Sequence, residues 1–308
     1  MWRIAGARLL AAIPTMLAIV TLAFILLRMA PGGPFDTEKE LLPEVRAHIE
    51  SAYHLDESLP AQYLRYLGQL VRGDLGPSFQ YPDTRVNTLI AAGFPIDLTI
   101  GGLALLLACL LGIPLGALAA WREGGWTDRM ASALSLLGMS VPVYVAAPLF
   151  ILLFAVTLQW LPAGGWSDGA WRNRVLPVVS LALPYIAYIT RITRTGVASS
   201  LHQPWMLAAR ARGLGTRALL FRYALRPALI PLVAFLGPAI VGAITGSIVI
   251  ETTFGLPGIG RFFVDGAFNR DYTLVMGVTI LYGALILVAN LVADLCQAWL
   301  DPRSRVPA

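Results

Sequence analysis

The side chains of this 308-residue chain that could do chemistry are three histidines, two cysteines, one lysine and a run of arginines. Their spacing decides which chemistry is open. His48, His54 and His202 form no metal-ligand pattern, and His48 and His54 share one polar loop, where a surface position is expected. Cys109 and Cys296 fall in apolar runs with no partner nearby in sequence and are expected to be buried free thiols. Lys39 stands between Glu38 and Glu40, so the chain has no glycine-rich phosphate loop ending in Lys-Ser/Thr. His-Glu-x-x-His, Gly-x-Ser-x-Gly and Cys-x-x-Cys are absent as well. No metal, cofactor or catalytic activity of its own is therefore expected.

The arginines say more. Seven lie from Arg191 to Arg226 with no acid among them, between two long apolar runs. A basic loop beside membrane spans is retained on the cytoplasmic side. Inside it, Pro204, Trp205, Met206, Leu207, Ala208, Ala209, Arg210, Ala211, Arg212, Gly213 and Leu214 spell a short helix. Proline suits the first turn, and Gly213 and Gly215 suit the stop. Small Ala208, Ala209 and Ala211 would let another protein approach closely. The segment is expected to be a docking element; a basic loop resting on anionic headgroups is the alternative from composition alone.

The elements that must position this helix are membrane spans. The chain is 57% hydrophobic and only 13% charged, against about 25% charged in soluble domains. Its net charge of +5 comes from arginines beside apolar runs, which argues against nucleic acid as a partner. Charge-free runs occupy about 9–27, 98–120, 130–158, 175–190, 228–250 and 272–293, each near the roughly 20 residues that cross a bilayer. Six spans put both termini on one side. Arg3, Arg8, Arg122, Arg129, Arg303, Arg305 and the seven loop arginines lie on that side, against Arg172, Arg174, Arg261 and Arg270 on the other. Both ends are therefore expected to be cytoplasmic. The first run is longer than a signal-peptide core and Arg28 follows it, so a retained first helix is expected.

Residues 31–95 are the one sizeable segment outside the spans. They open with the turn signal Pro31-Gly-Gly-Pro34, and two helices follow. The second should start at Ser58 with Pro60 in its first turn, bury Tyr63, Leu64, Leu67, Leu70 and Val71, and end at Gly73. It would cap the bundle or contact a soluble partner. Pro14, Pro114, Pro142, Pro148, Pro177, Pro184 and Pro238 are expected to break or bend helices. Asp294 is read as the one acid clearly inside a span, held by a structural hydrogen bond or packing contact. Glu251 and Arg28 end spans on one side, as a pair or as separate interfacial charges.

Ala209-Arg-Ala-Arg-Gly-Leu214, followed by Tyr223-Ala-Leu-Arg-Pro-Ala-Leu-Ile-Pro231, resembles the coupling-loop signature of ATP-binding-cassette importer permeases. The closest subgroup is the oligopeptide/dipeptide/nickel type. Leu26-Leu-Arg-Met-Ala-Pro-Gly-Gly33 extends the likeness into Gly73-Asp-Leu-Gly76, Glu251-Thr-Thr-Phe-Gly-Leu-Pro-Gly-Ile-Gly260, Arg270-Asp-Tyr272 and Asp301-Pro302, in order along nearly the whole chain. One departure stands out. The general signature begins Glu-Ala-Ala, whereas Leu207-Ala-Ala209 occupies that place here, so no acidic contact is implied there.

The resemblance implies an all-α integral membrane protein of the type I importer permease fold, with six transmembrane helices and a small helical periplasmic insertion after the first. It divides the chain into a first helix (1–30), the insertion (31–95), a five-helix core (96–298) with its coupling loop (191–227), and a cytoplasmic tail (299–308). It implies a bacterial inner-membrane location and a solute of di- or oligopeptides, with nickel or another small solute as the alternative. The implied partners are a second homologous permease subunit, two cytoplasmic ATPases that bind the ATP and Mg, an extracytoplasmic solute-binding protein and the lipid bilayer. A membrane-embedded enzyme would show clustered His, Asp or Glu at membrane depth. A secondary transporter would show paired intramembrane carboxylates and inverted repeats.

Overall fold

The computed structural model describes residues 2–29, 44, 51, 53–81, 83–245 and 248–300. The first external helix, the Pro31–Pro34 turn, His48 and the C-terminal tail lie outside the described residues. Among those described, the structure is helical: α1 (Trp2–Met29), α2 (Leu59–Val71), α3 (Val86–Trp121), α4 (Trp126–Ser140), α5 (Val143–Phe150), α6 (Trp171–Leu201), α7 (Pro204–Ala211), α8 (Leu225–Thr245), α9 (Ile248–Phe254), α10 (Ile259–Phe268) and α11 (Tyr272–Leu300). Wide π-helical turns continue α5 over Ile151–Thr157 and lead into α8 over Ala218–Ala224.

Five helical stretches are long and apolar enough to cross a membrane: Ala5–Met29, Val86–Trp121, Trp171–Leu201, Ala218–Phe254 and Tyr272–Leu300. The sixth apolar run, expected as one span over 130–158, is two legs, Trp126–Ser140 and Val143–Thr157, bent by 100°. The cause is local. Pro142 lacks an N–H and sits at φ −64°, and Val141 before it is extended at ψ 114°, as the ring of a following proline requires. The other prolines named from the sequence lie within helices, where neighbouring helices keep the backbone in place.

Two compact units divide the chain. The first comprises Met1–Leu9, Ile96–Pro257 and Leu285–Ala308. Its helices approach to backbone contact. A Cβ on Gly112 would stand 2.8 Å from Ile189 Cγ2, and one on Gly116 would stand 2.8 Å from Thr193 Cβ and 2.9 Å from the Arg194 nitrogen. Gly112-x-x-x-Gly116 is thus the small-residue stripe that lets α3 lie against α6. Gly196 meets Ala228 of α8 in the same way, at 2.8 Å. One apolar cluster joins Ile100, Ala104, Leu176, Leu181, Ile250 and Phe254.

In the first unit Arg8 Nε meets Asp294 Oδ2 at 2.7 Å, which makes the expected structural contact of Asp294 an ion pair. Asp294 is not the sole acid in a long helix. Asp97 lies within α3 and is 1% exposed; an apolar run counted from residue 98 stops just short of it. Glu251 is equally buried, in α9. Cys109 is half-buried and Cys296 exposed, so burial of both thiols does not hold. Cys296 sits on the outward side of a helix that a bilayer surrounds, where an apolar thiol needs no protein neighbour.

The second unit comprises Leu10–Pro95 and Gly258–Ala284. Here α2 begins after Ser58 and ends at Arg72, close to the expected bounds, although the Ser58 side chain makes no capping bond. Its contact face is rotated from the expected one. Tyr63, Leu67 and Leu70 pack with Val20, Phe24, Tyr66, Met276 and Ile280, while Leu64 and Val71 are exposed. Two polar groups set that rotation: Tyr63 OH lies 2.6 Å from Thr21 Oγ1, and Gln62 Nε2 donates to the carbonyls of Leu55 (3.1 Å) and Glu57 (2.7 Å). The guanidinium of Arg28 lies 5.5 Å from the ring centres of both Phe24 and Tyr272.

A buried carboxylate organises the far end of this unit. Asp271 Oδ1 accepts from the Leu274 N–H at 3.0 Å, capping α11, and Oδ2 accepts from Ser78 Oγ and from the N–H groups of Phe79 (3.0 Å) and Gln80 (3.1 Å). Asp74 Oδ1 takes the Gly76 N–H at 3.0 Å, and Asn87 bridges the Leu75 N–H and the Gly73 carbonyl. Gly73-Asp-Leu-Gly76 and Arg270-Asp-Tyr272 thereby belong to one hydrogen-bonded corner.

Candidate functional site

The arginine-rich segment is largely helical. Arg191 and Arg194 belong to the last turns of α6, and the loop proper shrinks to the joints on either side of α7. Gln203 is extended (φ −74°, ψ 146°) and Pro204 opens α7, whose first N–H groups have no partner within the helix. Gly213 closes it at φ +76°, donating to the Arg210 carbonyl at 2.9 Å. A side chain at Gly213 would meet nothing within 4 Å; what selects glycine is the left-handed backbone, not space.

The helix is seated by two residues. Met206 and Ala209 are both fully buried, among Ala117, Ala120, Val197, Leu219, Leu220 and Ala228. They are three apart and share one face. Ala209 therefore serves packing within this chain and is not available for the close approach of a partner. The opposite face carries Leu207 at 72% exposure, with Trp205, Ala208, Arg210, Ala211 and Arg212 also exposed and Leu214 half-buried. Arg210 lies 5.9 Å from the Trp121 ring centre, and Arg212 Nε reaches back to the Ala208 carbonyl at 3.4 Å. The result is a short helix fixed from behind, with Leu207 exposed on its free side and the exposed Arg210 and Arg212 toward its C-terminal end.

Sequence reasoning missed the bracket above this helix. Arg194 of α6 donates to both oxygens of Asp128, Nε to Oδ1 at 3.0 Å and Nη2 to Oδ2 at 2.9 Å. Asp128 is buried and also takes the Gly124 N–H at 2.9 Å. Glu123 lies 3.7 Å from Arg194 and 3.6 Å from His202 Nε2, while His202 Nδ1 contacts the Ala198 carbonyl at 2.8 Å. The α3–α4 turn is thus tied to the end of α6, directly before α7. A forked, charge-assisted pair is the geometry best suited to hold two helices in register. His54, expected on the surface from sequence, is exposed and lies 3.3 Å from Glu57; His202 is exposed as well. Among the described residues no three His, Cys, Asp or Glu side chains come together as a metal site.

Residues 112–306 match the family model described as binding-protein-dependent transport system inner membrane component. That stretch holds α7, its seat and the bracket. The chain is 49% identical over 298 residues to the oligopeptide transport system permease protein OppB of Salmonella typhimurium, covering 97% of each. It is 37% identical over 292 residues to the dipeptide transport system permease protein DppB of Bacillus subtilis, covering 95% of this chain and 94% of that one. Among solved structures, a chain of the inward-facing MetNI methionine ABC transporter superposes with a TM-score of 0.55 at 18% identity, covering 69% of this chain and 96% of that one. An amino acid ABC transporter aligns with a TM-score of 0.54 at 19% identity, covering 69% and 94%. These two likenesses establish the helical importer-permease fold. The chain is a multi-pass member of the binding-protein-dependent transport system inner membrane component family.

Proposed function

We propose that this chain is one of two related permease subunits of an ATP-driven importer that moves di- and oligopeptides across a bacterial inner membrane. The observation that carries the coupling role is α7: a helix anchored by Met206 and Ala209, with Leu207, Arg210 and Arg212 turned outward on its free side. Such a helix transmits force because its seat is rigid and its contact face is free. The peptide solute is drawn from the oligopeptide and dipeptide transport systems of OppB and DppB, which the chain matches over nearly its full length.

In this reading α7 and Arg210–Leu214 insert into a cleft of a cytoplasmic ATPase. Closure of two ATPases on ATP pulls α7, and the Asp128–Arg194 bracket carries that pull into α4 and α6. The permease pair rocks between inward-open and outward-open states, because the ATPases contact the two states differently. Residues 31–95 lie outside and face a soluble solute-binding protein. The insertion, the core over 96–298 and the tail over 299–308 keep the roles implied by the resemblance, with both termini in the cytoplasm.

The test is a pair of substitutions on opposite faces of α7. Leu207→Asp, or Arg210→Glu with Arg212→Glu, should leave insertion and thermal stability near wild type and abolish ATP-driven peptide uptake. Met206→Asp places a charge in the seat and should lower stability itself. Full peptide uptake in the outer-face variants would refute the coupling role of α7.

A further inference from the structure

The second unit contains a cavity of ≈250 Å³ that the coupling mechanism does not use. It is far larger than the ~30 Å³ share of one water and smaller than a typical drug-sized site of roughly 300–1,000 Å³. That is room for the end of a chain molecule.

Its lining has three parts. The first is positive. Arg28 lines the cavity, and no acidic side chain is found among its described lining residues. Arg65 and His54 also line it, but both are engaged with Glu57. The second part is aromatic: Phe24, Phe79 and Tyr272 form a wall, with Phe79 and Tyr272 edge-to-face at 6.4 Å. The third is polar and unsatisfied. Tyr66 and Gln62 are more than nine-tenths buried, and neither the Tyr66 hydroxyl nor Gln62 Oε1 has a hydrogen-bond partner. The Gln62 amide cannot simply turn over, because its Nε2 is committed to two carbonyls. Buried polar groups without partners are uncommon and call for a ligand, a water or a role. Burial pushes the Tyr66 phenol well above the usual tyrosine range, so its hydroxyl keeps its proton and can donate.

We propose that this cavity receives the carboxyl-terminal residue of a peptide: Arg28 and the Tyr66 hydroxyl bind the carboxylate, Gln62 Oε1 accepts the amide N–H of that residue, and the Phe24–Phe79–Tyr272 wall takes its side chain. The assignment rests on the peptide-import reading. A carboxylate alone would satisfy the cation and the hydroxyl; the acceptor on Gln62 selects a ligand with an N–H beside its carboxylate.

The test uses the whole importer in nanodiscs without its external binding protein, and two probes. N-acetyl-L-phenylalanine carries the carboxylate, the N–H and a ring; N-acetyl-L-phenylalaninamide lacks only the charge. Saturation-transfer NMR and calorimetry should show the acid binding at least tenfold tighter than the amide. That comparison needs no mutation. Arg28→Met should abolish the preference, Arg28→Lys should keep part of it, and Tyr66→Phe should weaken the acid severalfold. Equal binding of acid and amide, no binding of either, or a preference that survives Arg28→Met would overturn the proposal. So would displacement of the acid by the empty external binding protein but not by a tripeptide, which would assign the carboxylate to a partner side chain. Probe binding in an importer that takes up no peptide would keep the carboxylate site and remove the transport reading.

Discussion

At the scale of single residues, two carboxylates hold what the apolar surfaces leave loose. Asp271 is fully buried and receives one hydroxyl and three backbone N–H groups. Removing it strands several buried donors at once, each costing about 1–3 kcal/mol. Asp271→Ala should therefore lower stability by on the order of 3 kcal/mol or more, read as a large fall in thermal midpoint in detergent. Ser78→Ala removes one bond of the same set and should cost about 1 kcal/mol. Equal effects of the two would mean that Asp271 is not the organiser of the corner. Asp128 and Arg194 make the second case. Their forked pair is partly buried, so each single truncation leaves an uncompensated charge, and a double-mutant cycle should give a coupling energy between 0.5 and 3 kcal/mol, the range for residues in direct contact. Thermal unfolding of Asp128→Ala, Arg194→Met and the double variant measures it. Strict additivity would remove the bracket from the coupling path.

At the scale of elements, the decisive contacts are between backbones. Gly116 lies so close to α6 that even a methyl would collide with the backbone at Thr190 and Arg194. Gly116→Leu should force α3 from α6 and prevent accumulation of folded protein, whereas Gly102→Leu, where a Cβ meets nothing within 4 Å, should be tolerated. Detergent-extracted monodisperse yield separates the two. The sequence foretold α7 well, because proline and glycine at its two ends are local signals that need no tertiary context. It did not foretell which face of α7 is seated. Met206 and Leu207 are equally apolar neighbours, and only the surrounding alanines of α3 and α6 choose between them. The rotation of α2 was hidden for a similar reason: Thr21 and the Leu55 and Glu57 carbonyls, not its leucines, fix it. Asp128 and Arg194 are 66 positions apart, so no periodicity could join them. Pro142 bends its run by 100° while other prolines sit within helices, so proline alone does not tell a bend from a continuous helix.

At the scale of the whole molecule, the bent pair decides the topology. Five helical stretches are candidates for crossing by length and apolar character, and the pair Trp126–Ser140 and Val143–Thr157 is the sixth. If the pair crosses despite its bend, the termini share a side; if it turns back, they do not. The arginine asymmetry favours crossing, since Arg122 and Arg129 then join Arg210, Arg212, Arg217, Arg222 and Arg226 on the retained side. The outcome can be read with single cysteines in a background where Cys109 and Cys296 are serine. Asp83→Cys, on the turn before α3, should react with a membrane-impermeant maleimide in intact cells. Thr216→Cys, just after α7, should react only once the membrane is opened. Reporter fusions at the two termini should both report the cytoplasm. Labelling of Thr216→Cys in intact cells would place α7 where no ATP-driven partner could reach it. Termini on opposite sides, with α7 still inside, would put the α3–α4 turn and the end of α6 on opposite faces of the membrane, against the 2.9 Å Arg194–Asp128 contact, and would remove the bracket from the coupling path.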